Sequence, residues 1–243
     1  MYNNINTKTH TKTQANIITN PYDKNYKVLK ETMGKIEWAV DEALSAHPRL
    51  TGIRFDLHIP PSCLDPEGIC FIGSGVMKRF FSSLQAKIKA SHKFKSSKQV
   101  QHLRYVWVKE YGEKSNRPHY HVCIFLNKDN FQGLGDIYAA ICSPKFIKKS
   151  LAQQIIEAWA SALKIEYSMS CSHVHFPENP KYWVDTKNET LGLGKLALLT
   201  RLSYLAKPNT KVFGIGEKTY SDGKYLIYTP PVVLGLRQKK GKK

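Results

Sequence analysis

For 42 consecutive positions, from Gly68 to Lys109, the chain contains no aspartate and no glutamate. Lys78, Arg79, Lys87, Lys89, Lys93, Lys95, Lys98, Arg104 and Lys109 all fall in that window. Acidic residues are scarce throughout: 19 face 37 lysines and arginines, for a formal net charge of +18. Such a balance attracts polyanions such as DNA, RNA or an acidic membrane. Other absences narrow that choice. No apolar run approaches the roughly 18 residues of a spanning helix. No lipidation site and no basic amphipathic helix with bulky apolar anchors is evident, so a membrane partner is not expected. The N-terminus lacks the apolar segment of a signal peptide. The five cysteines are odd in number and form no CxxC pair. That pattern argues against a disulfide framework and a cysteine-built zinc site, and points to a reducing cytoplasm. "GLGKL" fails as a phosphate loop, because Glu189 stands where glycine is needed and Leu196 where serine or threonine is needed. No internal repeat is visible.

What is present suits one sizeable core. The chain has 243 residues, 42% of them hydrophobic. Residues 1–25 are polar and predict a disordered arm. Residues 26–235 predict a single domain, and 236–243 a basic tail. A helix is expected from about Tyr26 to Ala46. "TGIRFDLHIP" alternates, with Ile53, Phe55, Leu57 and Ile59 on one side and Arg54, Asp56 and His58 on the other. That is the pattern of a half-buried strand. A helix over Gly75 to Ala90 presents Phe80, Phe81, Leu84 and Ile88. "LRYVWVKEYG", the turn "EKSNRP" and "HYHVCIFL" predict a β-hairpin. A helix over Lys149 to Leu163 turns Leu151, Ile155, Ile156 and Trp159 inward. "HVHF" predicts a short strand, "GKLALLTRLSYLAK" a helix, and a hairpin-like region closes the chain. Helices and strands mix without βαβ alternation, so the expected class is α+β, an antiparallel sheet with helices mainly on one face.

The chemistry concentrates at the hairpin. Residues two apart in a strand share a face, so His119 and His121 project together. Glu110 lies nine positions before His119, across the turn. Two imidazoles and a carboxylate on one face suit a divalent metal with open positions. Asp56, His58 and His175 are further candidates for the same site. His173 and His175 form a second HxH pair, without an acid at hairpin spacing. On the last helix, Leu198, Leu199, Leu202, Leu205 and Ala206 cluster on one side, and Tyr204 falls opposite. Lys207 is near Tyr204 at i+3, where its charge can steady a phenolate or a phosphate. Pro208 ends the helix. Arg54, Lys93, Lys95, Lys98, Arg104, Arg117, Arg201 and Lys211 are the expected DNA contacts.

These motifs carry a resemblance. "HYH" followed by apolar residues looks like the His-hydrophobe-His motif of the HUH endonucleases, and "YLAK" is similar to their Tyr-x-x-Lys motif. "RYVWVKEYGEKSNRPHYHVCIFLNK", "HVHFPENPKYW" and "RLSYLAKPNTKVFGIG" resemble the inovirus-type replication protein family, also called the YagK/YfjJ C-terminal domain family. The resemblance covers roughly residues 45–220. It implies a ferredoxin-like HUH nuclease sheet, His119, His121 and Glu110 as ligands of Mg²⁺ or Mn²⁺, Tyr204 as nucleophile and Lys207 as its partner. The implied reaction is nicking and joining of single-stranded or hairpin origin DNA. It would start rolling-circle replication of a phage, plasmid or integrated element, with unwinding left to a host helicase and replication proteins. A DNA-binding regulator without chemistry and an RNA nuclease or RNA-binding protein are the alternative expectations.

Overall fold

In the computed structural model, which describes residues 16–64, 75–91, 103–111, 117–142, 149–188 and 192–208, the described chain opens with a small hairpin. Strand β1 (Ile17–Thr19) pairs antiparallel with β2 (Lys27–Leu29). Helix α1 (Lys30–Ala46) follows at once. This corrects two expectations. Residues 16–25 belong to the fold instead of an arm, and the helix begins at Lys30, after a strand, instead of at Tyr26. The physical reason is burial: Asn20 and Val28 are fully buried, tied to residues far along the chain. Polar composition alone hid those contacts.

Next come β3 (Arg49–His58), α2 (Val76–Ser91), β4 (Arg104–Tyr111), β5 (Pro118–Asn127), α3 (Ile137–Cys142) and α4 (Leu151–Leu163). They are followed by α5 (Tyr167–Cys171), β6 (Val174–His175), β7 (Lys181–Asp185), α6 (Gly192–Ser203) and a 3₁₀ turn over Tyr204–Ala206. The main sheet runs β4-β5-β3-β6, and β7 pairs with β3 beyond β6. Every pairing is antiparallel. The predicted helices at 75–90 and 149–163 stand within two residues of α2 and α4. Helix α4 has a serine cap, Ser150, whose hydroxyl accepts from the Gln153 amide at 3.2 Å.

Helices cover both faces of the sheet, not mainly one. On one face, α2 and α4 bury Phe80, Leu84, Ile155 and Trp159 against Ile53, Phe55 and Leu57. On the other, α1 and α6 bury Ile36, Val40, Leu198 and Leu202 against Leu50, Val106, Val108, Cys123 and Phe125. Strand β3 is therefore central and buried on both sides, where alternation had predicted a half-buried strand. Arg54 and Asp56 are only 5% and 9% exposed. They tolerate burial because each is the other's ion-pair partner.

Two glycines set α6 on this face. A Cβ on Gly52 of β3 would come within 2.9 Å of Leu198. A Cβ on Gly194 would come within 2.3 Å of the Trp183 carbonyl oxygen in β7. The backbone contact at Gly194 requires hydrogen there, whereas at Gly52 the Leu198 side chain would have to shift. Cys63 is disulfide-bonded, whereas Cys123, Cys142 and Cys171 are free; one bond is present where the odd count argued against a disulfide framework. No helix among the described residues is long and apolar enough to cross a membrane. The basic tail and the hairpin-like region before it lie outside the described residues.

Candidate metal centre

The face under α1 and α6 changes character along its strands. It is apolar at Leu50, Val106, Val108, Cys123 and Phe125. Further along each strand it turns polar: Arg54, Asp56 and His58 on β3, Glu110 on β4, His119 and His121 on β5. Pairing puts these residues level with one another. Asp56 lies opposite His121 and His58 opposite His119 in the β3–β5 ladder. Glu110 lies opposite His119 in the β4–β5 ladder. The nine-residue spacing read across "SNRP" thus becomes a direct cross-strand pair, although residues 112–116 lie outside the described residues.

Glu110, His119 and His121 each offer a ligand atom, and these atoms lie within 4.8 Å of one another. Glu110 Oε2 is 3.1 Å from His121 Nε2 and 3.9 Å from His119 Nε2. The carboxylate is 2% exposed and faces two imidazole nitrogens. One anionic oxygen donor and two neutral nitrogen donors fit a divalent cation of intermediate hardness.

Asp56 completes the arrangement from behind. Its Oδ1 accepts from Nδ1 of His121 at 2.5 Å and also from the Arg54 guanidinium. Arg54 Nη2 lies 2.7 Å from the same imidazole nitrogen. Burial alone would raise the Asp56 carboxyl, but the bonds from His121 and Arg54 outweigh it and hold the group well below the usual carboxylate range. An ionised Asp56 accepts and cannot donate, and it holds the Nδ1 side of the His121 ring. Its Nε2 is left to face Glu110 and His119. A carboxylate behind a histidine is the usual device for fixing the tautomer of a metal ligand. Burial, opposed by the bonds to Asp56 and Glu110, leaves His121 raised. Burial and the neighbouring His121 lower His119. His58 stacks on His119 with ring centroids 5.5 Å apart, and burial lowers it too.

His175 pairs with Asp56 across β6, and its Nδ1 is 3.4 Å from Asp56 Oδ2. It joins the site at the rim, with its side chain 61% exposed. His173 turns away and bonds the Met169 carbonyl and Ser172.

Tyr204 stands on the same face as the histidines. Its ring centroid is 6.4 Å from that of His121. The tyrosine begins a 3₁₀ turn that ends α6, where the α-helix was expected to continue to Lys207. Side chains at i and i+3 eclipse in a 3₁₀ turn, so the tightening preserves the predicted neighbour: Lys207 Nζ is 5.1 Å from the Tyr204 ring centre. Pro208 explains the tightening, because it pushes Lys207 into an extended conformation. The expected apolar side of the helix is buried as predicted, and Tyr204 is 43% exposed.

Sequence reasoning missed the residues that hold this turn. Ser203 donates to the Thr200 carbonyl at 2.7 Å. Its oxygen then accepts from Asn20 Nδ2 at 2.8 Å and from the Tyr26 hydroxyl at 2.7 Å. The Tyr26 ring meets the Tyr204 ring edge-on at 6.3 Å, and Lys207 Nζ is 5.0 Å from the Tyr26 ring centre. No local pattern could have signalled contacts 177 and 183 residues apart.

The expected DNA contacts divide. Arg54 is a correction: it is buried and committed to Asp56, so it supports His121 and presents nothing to a strand. Arg104 is six residues along β4 from Glu110, about 20 Å at the usual strand rise. Arg117 is exposed and precedes the histidine strand, and Arg201 lines a cavity beside Tyr204. Lys93, Lys95, Lys98 and Lys211 lie outside the described residues.

Comparison with known proteins bears on the family and not on the chemistry. YagK, an uncharacterized protein of Escherichia coli (strain K12), is 36% identical over 197 residues, covering 78% of this chain and 90% of YagK. YfjJ, an uncharacterized protein of the same organism, is 31% identical over 195 residues, covering 76% of this chain and 90% of YfjJ. No solved structure matches the chain. The family described as the YagK/YfjJ C-terminal domain matches residues 9–223, a wider span than the 45–220 seen in the motifs. With its strands, its histidine pair and its tyrosine turn inside that span, the chain belongs to the YagK/YfjJ C-terminal domain family.

Proposed function

We propose that the protein nicks and rejoins single-stranded DNA through Tyr204, as an initiator of HUH type. The observation that carries this reading is the 6.4 Å approach of the Tyr204 ring to His121, itself bonded to Glu110 and backed by Asp56. A nucleophile and a candidate cation site share one face.

The sheet supports the same reading. With the short helices α3 and α5 left aside, β3, α2, β4, β5, α4 and β6 come in the order β-α-β-β-α-β of ferredoxin-like folds. Their spatial order, β4-β5-β3-β6, puts β3 and β5 in the centre. The histidines ride on one of those two strands.

Glu110, His119 and His121 would hold Mg²⁺ or Mn²⁺, and the cation would supply charge neutralisation at a scissile phosphate. Tyr204 attacks phosphorus through its phenol oxygen, and the phenol proton leaves to solvent, which the exposure of the residue admits. A new oxygen–phosphorus bond forms to tyrosine as the bond to the 3′ oxygen breaks. The departing oxygen takes up a proton and becomes a 3′ hydroxyl, leaving a 5′-phosphotyrosine. Lys207 brings a positive charge to within reach of the attacking ring and of a phosphate. Joining runs the same steps backward. Origin DNA of a phage, plasmid or integrated element, with a host helicase, is the partner set this activity needs.

The test uses a labelled pool of random-sequence single-stranded oligonucleotides with Mn²⁺. A covalent adduct that survives denaturing electrophoresis is expected with the native protein and absent with Tyr204→Phe, which still binds DNA. An adduct that persists in Tyr204→Phe removes the nucleophile assignment. Activity indifferent to EDTA removes the metal.

A further inference from the structure

A cavity of about 620 Å³ opens on the side of Tyr204 where α6, β7 and the N-terminal segment meet. Three tyrosines line it: Tyr26, Tyr182 and Tyr204. Of the three, the resemblance gives a role to Tyr204 alone. At its edge Leu193 and Leu196 are 72% and 49% exposed, an apolar lip on the first turns of α6. Arg201 also lines the cavity. Its Nε is fully buried and meets no hydrogen-bond partner among the described residues. A buried guanidinium N–H without an acceptor is costly, and an acceptor arriving with a ligand removes the cost. Asp23, on the N-terminal side of the lining, accepts from the Asn25 backbone and side chain and offers further acceptor capacity to the cavity.

Aromatic planes, a cation seeking an acceptor and a carboxylate on the opposite element together make a chemically divided space. The tyrosines suit the flat face of a nucleobase. Arg201, with Lys207 between the rings of Tyr26 and Tyr204, suits a phosphate. Asp23 suits the amino or imino donor of a base edge and repels phosphate from its own side. The volume lies within the range of small-ligand pockets, and one wall is Tyr204 itself.

We propose that this cavity is a subsite for one unpaired nucleotide of the single strand, the one next to the phosphate that Tyr204 attacks. Its assignment to DNA rests on the nicking reading. Its occupancy by a nucleotide does not, and can be measured without catalysis.

The full chain, ¹⁵N-labelled and free of divalent metal, is titrated with each of the four 2′-deoxynucleoside 5′-monophosphates and separately with inorganic phosphate. At least one mononucleotide is expected to give saturable amide shifts at Thr200, Arg201, Tyr204 and Tyr182, about tenfold tighter than phosphate, as base stacking contributes. Arg201→Gln should weaken that binding about tenfold, the scale of a charge-assisted bond. Leu196→Trp fills the cavity mouth from an exposed position, so it should block binding while thermal melting stays unchanged. Identical shifts with inorganic phosphate at equal affinity overturn the subsite, as do shifts confined to other surfaces. Binding undiminished in a folded Leu196→Trp overturns it too. If the oligonucleotide adduct forms but no mononucleotide occupies the cavity, the subsite falls alone. If a mononucleotide binds there and no adduct ever forms, the nicking reading falls and the subsite stands.

Discussion

Asp56 shows how much one side chain can do at second hand. It touches no candidate ligand atom directed at the metal, yet it holds His121 by Nδ1 and anchors Arg54. Replacing a carboxylate behind a metal histidine typically costs 10- to 100-fold in affinity. Asp56→Asn should therefore weaken Mn²⁺ binding by about that factor, measured calorimetrically, while Glu110→Gln should abolish it. Equal affinity in Asp56→Asn would return Asp56 to a purely structural ion pair with Arg54. Tyr22 offers a separate check on the N-terminal segment. Its hydroxyl donates to Glu37 at 2.7 Å, and burial with that carboxylate pushes its pKa up to about 12. A raised folded pKa favours the neutral phenol, so the stabilisation is complete below about pH 10 and fades as pH climbs toward 12. Tyr22→Phe should remove amplitude from the alkaline absorbance titration near pH 12; amplitude lost near pH 10 instead would contradict the bond to Glu37.

At the scale of elements, α6 is placed by its contacts with the sheet before the tyrosine turn is placed by anything. Gly194→Ala drives a methyl into the Trp183 carbonyl, and overpacking of this kind costs about 1–3 kcal/mol. Urea denaturation should show that loss, and the nicking rate should fall with it, because moving α6 moves Tyr204. Preserved stability would mean that helix and strand separate freely. Elements were also where the sequence was most and least legible. The pairing of β4 with β5 was legible, since period-two alternation is a local signal, and it puts Glu110 beside His119. Strand β3 misled because Arg54, Asp56 and His58 look like a solvent face. Arg54 and Asp56 occupy an interior polar pocket with His58 exposed at the strand end, and alternation cannot distinguish water from a buried partner. Segment 16–25 misled for the related reason that its stabilising bonds reach Ser203, Glu37 and α1, none of which a local window contains. Tyr204 and Lys207 were found correctly as neighbours, although the turn that joins them is tighter than a helical wheel assumes.

For the whole molecule, the charge and the cation site make separable predictions. A chain of net charge +18 that binds a single strand releases counterions. Log affinity should then fall linearly with log salt at a slope of about −0.7 per phosphate neutralised. A flat salt response would remove phosphate contact as the basis of binding. Saturating Mn²⁺ should raise the melting temperature of the native chain, since a ligand at 100 times its dissociation constant contributes about 2.7 kcal/mol. His119→Ala and His121→Ala should each lose that increment. A rise that survives both replacements would locate the ion elsewhere.

The bond from Asn20 to Ser203 has a temporal side. Its two ends are 183 residues apart, among the widest separations a chain of this length allows. Contacts of such range form late, after the intervening elements have collapsed. During synthesis the histidine strand and Glu110 leave the ribosome well before α6, so a cation could be held on a nascent chain with no tyrosine opposite it. The turn that carries Tyr204 is secured only when the first described residues find nearly the last. The face shared by the histidines and Tyr204 is thus assembled last, and under the proposed nicking activity a partially made chain would lack its nucleophile.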